Sequence, residues 1–375
     1  MESKSFRLFN AAIKSEQTRT VYHGTIKQYM KFHNMGDYDE IVKGSPDKIQ
    51  EKLENWVISQ SKQNLKATTI RAKLNAVELY LEMNKKLYHK KILHKLIPSD
   101  EHVRGGDVPF TNEDIQLMLK SVSRHRTRAI IHFLASTGSR PGGFSDPPLR
   151  MKHLVNMEHG CKAIKIYDES REGFWAFLTP EASKSLEEYF QTRKINGEKI
   201  TDESPIFANY PKSNNQVREF LSTQALSQMI RNMLKKAGVQ RVKTGNRFDK
   251  ATIYGFRKRF NTILKLNNDV NSNIAEKSMA HKKGLDGAYL KPTREECFTE
   301  FLKAVEQLTI SDESRDKIKI NTLEKEKSEV EELKSMIYKM GDMAEKQAKN
   351  SEEKVLELIK KFPELAKTLN PQFNN

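Results

Sequence analysis

TRAIIHFLASTGSRPGG, residues 127–143, sets the reading of the rest of the chain: an apolar helix leads to Gly138, and Arg140 follows on a turn of small residues. Just upstream, FTNEDIQLMLKSV (110–122) places Thr111 ahead of Glu113 and Asp114, a helix start, with Ile115, Met118 and Leu119 on the apolar side. Downstream, CKAIKIYDESREGFWAFL (161–178) holds two runs of strand-formers, AIKIY and FWAFL, around a polar turn, which predicts a β-hairpin. Helical periodicity returns through SKSLEEYFQTRK, STQALSQMIRNMLKKAG and ATIYGFRKRFNTILKLN. Residues 110–310 therefore read as one mainly α (α+β) domain with a small antiparallel sheet.

Further out, residues 1–97 read as a helical domain. Tyr22, Ile26, Tyr29, Met30 and Phe32 follow a helical period, as do Ile49, Leu53, Trp56 and Val57. A third helix carries Ile70, Leu74, Val77, Tyr80 and Leu81 inward, with Thr68 or Thr69 as its expected cap and Arg71 and Lys73 on or near its exposed side. The stretch KKLYHKKILHKLIPSDEHVRGGDVPF (85–110) is dense in base, with Lys85, Lys86, Lys90 and Lys91, before Pro98, Gly105, Gly106 and Pro109 mark a linker over 98–109. It reads either as a basic hinge that crosses a phosphate backbone or as a solvated helix followed by an ordinary loop. Residues 311–375 form a charged helical tail. There Leu323, Val330, Leu333, Ile337 and Met340 follow a heptad that Glu326 interrupts and Gly341 is expected to end, so a short coiled coil competes with a single solvated helix.

Composition narrows the partners. The formal net charge of +16 favours a polyanion, because clustered Lys and Arg displace counterions from phosphates. With only Cys161 and Cys297, and no Cys/His cluster, neither a disulfide framework nor a zinc site is supported, and a reducing cytoplasm fits. Nowhere do about 18 consecutive apolar residues occur, so no membrane span is expected.

Breaking a phosphodiester without metal or ATP requires cations on the non-bridging oxygens, an in-line nucleophile and an acid for the leaving oxygen. Arg fits the first task through its planar, permanently charged fork, and Tyr fits the second because a phosphotyrosyl ester conserves the bond energy for resealing. STGSRPGG supplies Arg140, YGFRKRFN supplies Arg257, and MAHKKGLDGAYLKP presents His281 eight residues before Tyr289. Taken in order, these resemble the boxes of the tyrosine recombinase (phage integrase) family, most closely its archaeal members. T-G-x-R-P is matched by Thr137 to Pro141, H-x-x-R by Tyr254 to Arg257, and L-G-H with a following Tyr by Met279, Ala280, His281 and Tyr289.

The resemblance covers residues 108–310 well and the N-terminal helices, SAM-like in that family, only in outline. It implies that Arg140 and Arg257 clamp the scissile phosphate, that His281 hydrogen-bonds one of its oxygens, and that Tyr289 becomes joined to the 3′ phosphate. It also implies attachment-type sites on double-stranded DNA, a homo-tetramer on two duplexes, a mobile element as source, and no cofactor. Lys258 and Arg259, beside Arg257, are candidate backbone binders.

This chain departs from the family pattern at several places. Tyr254 stands for the usual His, either as a phosphate ligand or as an ordinary core residue, since a phenol can donate a hydrogen bond but does not titrate near neutral pH as an imidazole does. Gly143 stands where an acidic residue is common, leaving Asp146 as the nearest carboxylate. Ala280 replaces a Gly, and the step from His281 to Tyr289 is one residue short. The family's catalytic Lys belongs in the hairpin, where Arg171 at the turn and Lys165 on the first strand are the candidates.

Overall fold

The computed structural model describes residues 3–63, 65–99, 106–168, 170, 172–209, 220–244, 247–281 and 289–362. Two compact units divide the chain, Met1–Arg104 and Gly105–Asn375.

The first unit is helical: α1 (Lys4–Ala12), α2 (Glu16–Phe32), α3 (Pro46–Lys62), α4 (Ala67–Met83) and α5 (Lys90–Leu96). Ser3, Ser15 and Ser45 cap α1, α2 and α3 by accepting from the backbone N–H three residues on. Helix α1 was not anticipated; it buries Phe6 and Phe9 in the same core as Ile26, Leu53, Trp56, Leu74 and Tyr80. Neither Thr68 nor Thr69 caps α4, which begins at Ala67 with Lys66 at the cap and no side-chain hydrogen bond. Phe32, expected to face inward, is half exposed at the end of α2.

The second unit opens with α6 (Asn112–Lys120), where Thr111 and Asp114 exchange side-chain and backbone bonds in a capping box. Helix α7 (His125–Thr137) follows, and Gly138 ends it at φ 56°, a left-handed position that glycine takes without strain. Every residue from Ala129 to Thr137 is buried, because α7 packs against helices and sheet on several sides.

The predicted hairpin is present as β2 (Lys162–Ile166) and β3 (Phe174–Leu178), antiparallel with Lys165 opposite Trp175. An unforeseen strand, β1 (Leu154–Asn156), pairs with β2 and makes a three-stranded sheet in the order β1-β2-β3. Then come α8 (Pro180–Ile195), α9 (Thr223–Ala237), the two-residue strands β4 (Lys243–Thr244) and β5 (Arg247–Phe248), α10 (Thr252–Leu266) and α11 (Ser272–Ser278).

Helix α10 is held close to the start of the unit. The Phe110 N–H donates to the Gly255 carbonyl at 3.3 Å, and a Cβ on Gly255 would lie 2.5 Å from the Phe110 ring. The unit closes with α12 (Arg294–Leu302), α13 (Val305–Leu308) and the long α14 (Asp312–Lys361). Helix α14 runs on through Gly341, where the apolar repeat was expected to stop, and none of its residues is buried. Among the described residues no helix is long and apolar enough to cross a membrane.

Candidate active site

Arg257 joins the separated motifs. It leaves α10 buried, at 6% exposure, and donates through Nη1 to the Gly138 carbonyl at 2.9 Å and through Nη2 to the Met279 carbonyl at 2.6 Å. Nη2 also lies 2.9 Å from Nε2 of His281. One guanidinium thus ties the turn that carries Arg140 to the end of α11 that carries His281. Burial first, and then the charge of Arg140, push the Arg257 pKa down to about 10, so it remains charged at neutral pH. Arg140 is half-buried at the head of a 3-10 turn, Pro141–Phe144, and its guanidinium makes no hydrogen bond among the described residues.

His281 is positioned from both sides. Arginine can only donate, so Nε2 accepts from Arg257, and Nδ1 carries the proton given to Glu276 Oε2 at 2.5 Å. Lys265 Nζ holds the other oxygen of Glu276 at 2.8 Å. Burial opposes the charge on Glu276, yet the hydrogen bonds from Lys265 and His281 outweigh it and hold the carboxyl below its usual range.

The backbone supports the same arrangement. The His281 N–H donates to the Glu276 carbonyl and the Ala280 N–H to the Lys277 carbonyl, both at 2.9 Å. This is a Schellman ending with Ala280 left-handed at φ 52°. Ala280 therefore occupies the conformation a glycine would favour, and does so under strain.

Other groups gather around this centre. Tyr254 lies one helical turn before Arg257 and is half exposed. Tyr167, at the end of β2 with φ 55°, was not anticipated. Burial raises the pKa of its phenol, while the nearby charges of Arg140 and Arg257 act in the opposite direction. Gly143 has no room for the carboxylate common at that place, since a Cβ there would sit 2.9 Å from Ile166 Cγ2.

A cavity of about 300 Å³ brings Lys165 and His281 together with Trp175, Leu290 and Lys291, and Lys165 Nζ lies 4.9 Å from the centre of the Trp175 ring. Tyr289, next to Leu290, is 80% exposed, and no hydrogen bond among the described residues joins it to Arg140, Arg257 or His281. Arg171 lies outside the described residues. Among those described, no group of three His, Cys, Asp or Glu side chains could hold a metal.

The candidate phosphate contacts separate into two groups. Arg71, Lys85 and Lys91 are exposed and Lys86 is half-buried. Lys73 instead donates to Gln60 Oε1 at 2.8 Å, and Lys90 lies 3.0 Å from the buried carboxylate of Glu78. Lys258 pairs with Asp107 at 2.7 Å. Arg259 is buried at 4% exposure and binds Asn112 Oδ1 and the carbonyls of Gln307 and Leu308, so it does not present itself to a DNA backbone. It ties α10 to α6 and α13.

No family model and no curated protein matches the sequence. Solved structures share the fold. A lambda integrase fragment, 75–356, solved as a dimer bound to a COC′ core site, gives a TM-score of 0.50 at 15% identity, over 77% of this chain and 93% of that one. The Tn1549 transposon integrase in complex with transposon right end DNA gives 0.50 at 14% identity, over 80% and 98%. The chain thus has the integrase fold, mainly helical with a small antiparallel sheet.

Proposed function

We propose that this chain cleaves and rejoins duplex DNA through a tyrosine, as a site-specific recombinase. The observation that carries the reading is the convergence at Arg257. Its fork meets the Gly138 turn, whose Arg140 charge it senses, and His281, although these groups come from three distant stretches of sequence. Two guanidinium groups beside an imidazole suit a phosphate diester, and the net charge of +16 suits the duplex around it.

In this reading Arg140 and Arg257 hold the non-bridging oxygens. Once Arg257 Nη2 has turned from Nε2 of His281 to a phosphate oxygen, Tyr289 Oη attacks phosphorus, its proton passes to the freed Nε2, and the imidazolium then donates to a phosphate oxygen with Glu276 behind it. The bond from phosphorus to the 5′ oxygen breaks, leaving a 3′-phosphotyrosine, and Lys165 gives the leaving oxygen its proton. Lys165 is preferred for this because it shares the cavity with His281, and an ammonium releases a proton more readily than a guanidinium such as Arg171. Resealing reverses the steps with a partner strand, on attachment-type sites held by four protomers.

The test is a nicked suicide duplex incubated in chelator without ATP. Wild type should form a protein–DNA adduct that survives denaturation, and Tyr289→Phe should not. DNA binding with no adduct from wild type would reduce the chain to a binding module.

A further inference from the structure

We propose that α14 pairs two copies of this chain in a parallel coiled coil that forms without DNA. At about 1.5 Å per residue its 50 residues extend roughly 75 Å. Ile318 still packs on the domain core, whereas every residue from Lys319 to Phe362 is exposed. Helices that stand this far into water normally keep apolar groups off their surface or cover them with a partner. Here Leu333 is 58% and Ile337 68% exposed, and Leu323, Val330 and Met340 lie on the same stripe.

The stripe continues past Gly341. Steps of three and four residues run from Leu323 through Glu326, Val330, Leu333, Ile337 and Met340 to Ala344. One additional step of four reaches Ala348, and the alternation resumes through Ser351, Val355 and Leu358 to Phe362. A single four-residue insertion locally unwinds a coiled coil without moving its seam to another face. The line is broken at Glu326 and Ser351 and thins to Ala344 and Ala348, so the seam is strongest from Val330 to Met340 and again from Val355 to Phe362, where a second copy in register matches it residue for residue.

Charge chooses the orientation. With Val330 and Leu333 at the seam, Glu329 and Lys334 flank it five residues apart, the separation at which flanking charges of two parallel helices meet. A parallel, in-register pair sets Glu329 of each copy against Lys334 of the other.

The full-length chain, free of DNA, is the sample, and sedimentation equilibrium at micromolar concentration is the measurement. Wild type should sediment at twice its 43.4 kDa mass, and Leu333→Lys with Ile337→Lys should sediment as a monomer. Glu329→Lys and Lys334→Glu should each weaken self-association about tenfold, and mixing the two variants should restore it, because the mixed pair regains both attractions. Ile337→Cys should cross-link to a dimer on oxidation, against native Cys161 and Cys297 that are buried. A wild-type monomer, a dimer indifferent to the Leu333/Ile337 substitutions, or an Ile337→Cys chain that does not cross-link would each overturn the proposal.

Discussion

Replacing the two arginines in turn by glutamine should separate holding the site together from holding a ligand. Arg257→Gln removes the donors to the Gly138 and Met279 carbonyls at a position 6% exposed. Each buried carbonyl left without a partner costs about 1–3 kcal/mol. Part of this is offset, because the charge is held at a pKa of about 10 by burial and by Arg140; a lowered pKa corresponds to about 1.4 kcal/mol per unit, so the relief is up to roughly 3 kcal/mol. At the middle of these ranges the two carbonyls cost about 4 kcal/mol together and the relief returns about 1–3 kcal/mol, so the net expectation is a stability loss of about 1–3 kcal/mol. Arg140→Gln breaks no hydrogen bond among the described residues and relieves Arg257, so stability should stay within about 0.5 kcal/mol of wild type or rise slightly. Both should slow covalent DNA cleavage by about 100-fold or more, as when an electrostatic donor to a reacting oxyanion is lost. Urea unfolding and single-turnover cleavage measure the two effects. A destabilised Arg140→Gln, or an Arg257→Gln as stable as wild type, would refute the division of labour.

Glu276→Gln should slow cleavage about tenfold, because a charge-assisted bond to His281 becomes a neutral one, while DNA affinity holds in a gel-shift titration. Equal loss of affinity and rate would place Glu276 in DNA binding instead. Ala280→Gly should stabilise the chain by about 1 kcal/mol, since glycine removes the left-handed strain at φ 52°, and urea unfolding would show it. A loss would mean that the methyl group matters more in packing. His132 is held down to about pKa 4, by burial and then by the charge of Arg128, whereas the unfolded chain titrates near 6.5. The unfolded state binds more protons between those values, so stability is complete above about pH 6.5 and falls toward pH 4, by up to about 3 kcal/mol. A His132→Asn variant should show a shallower fall over that interval, and parallel curves would contradict the assignment.

What the sequence reveals depends on how far each feature reaches. Helices α3, α4 and α7 and the β2–β3 hairpin carry several periodic residues each, so local pattern is enough. Helix α1 has nine residues and β1 three, too short for a period to show against noise. Beside Arg257, Lys258 and Arg259 read as backbone binders, yet α10 is covered on two sides, so Arg259 turns inward as Arg257 does, to different partners, while Lys258 pairs with Asp107. Lys90 looks like a phosphate ligand until the buried Glu78 on α4 is placed beside it. Glu276 was missed because nothing local distinguishes a carboxylate five residues before a histidine; the Schellman ending folds the chain back and joins the two. The small residues were more informative. Gly138 marks the turn whose carbonyl Arg257 holds, and Gly143 marks a place without room for a side chain.

The most direct test of the central claim asks which tyrosine carries the DNA. Tyr254 and Tyr167 lie close enough to Arg257 to bear on its charge, and Tyr289 adjoins Leu290, which lines one cavity with His281. Protease digestion of the trapped adduct, followed by mass spectrometry of the nucleotide-bearing peptide, should place the phosphate on Tyr289 alone. A nucleotide on Tyr254 or Tyr167, or an adduct that persists in Tyr289→Phe, would contradict the account.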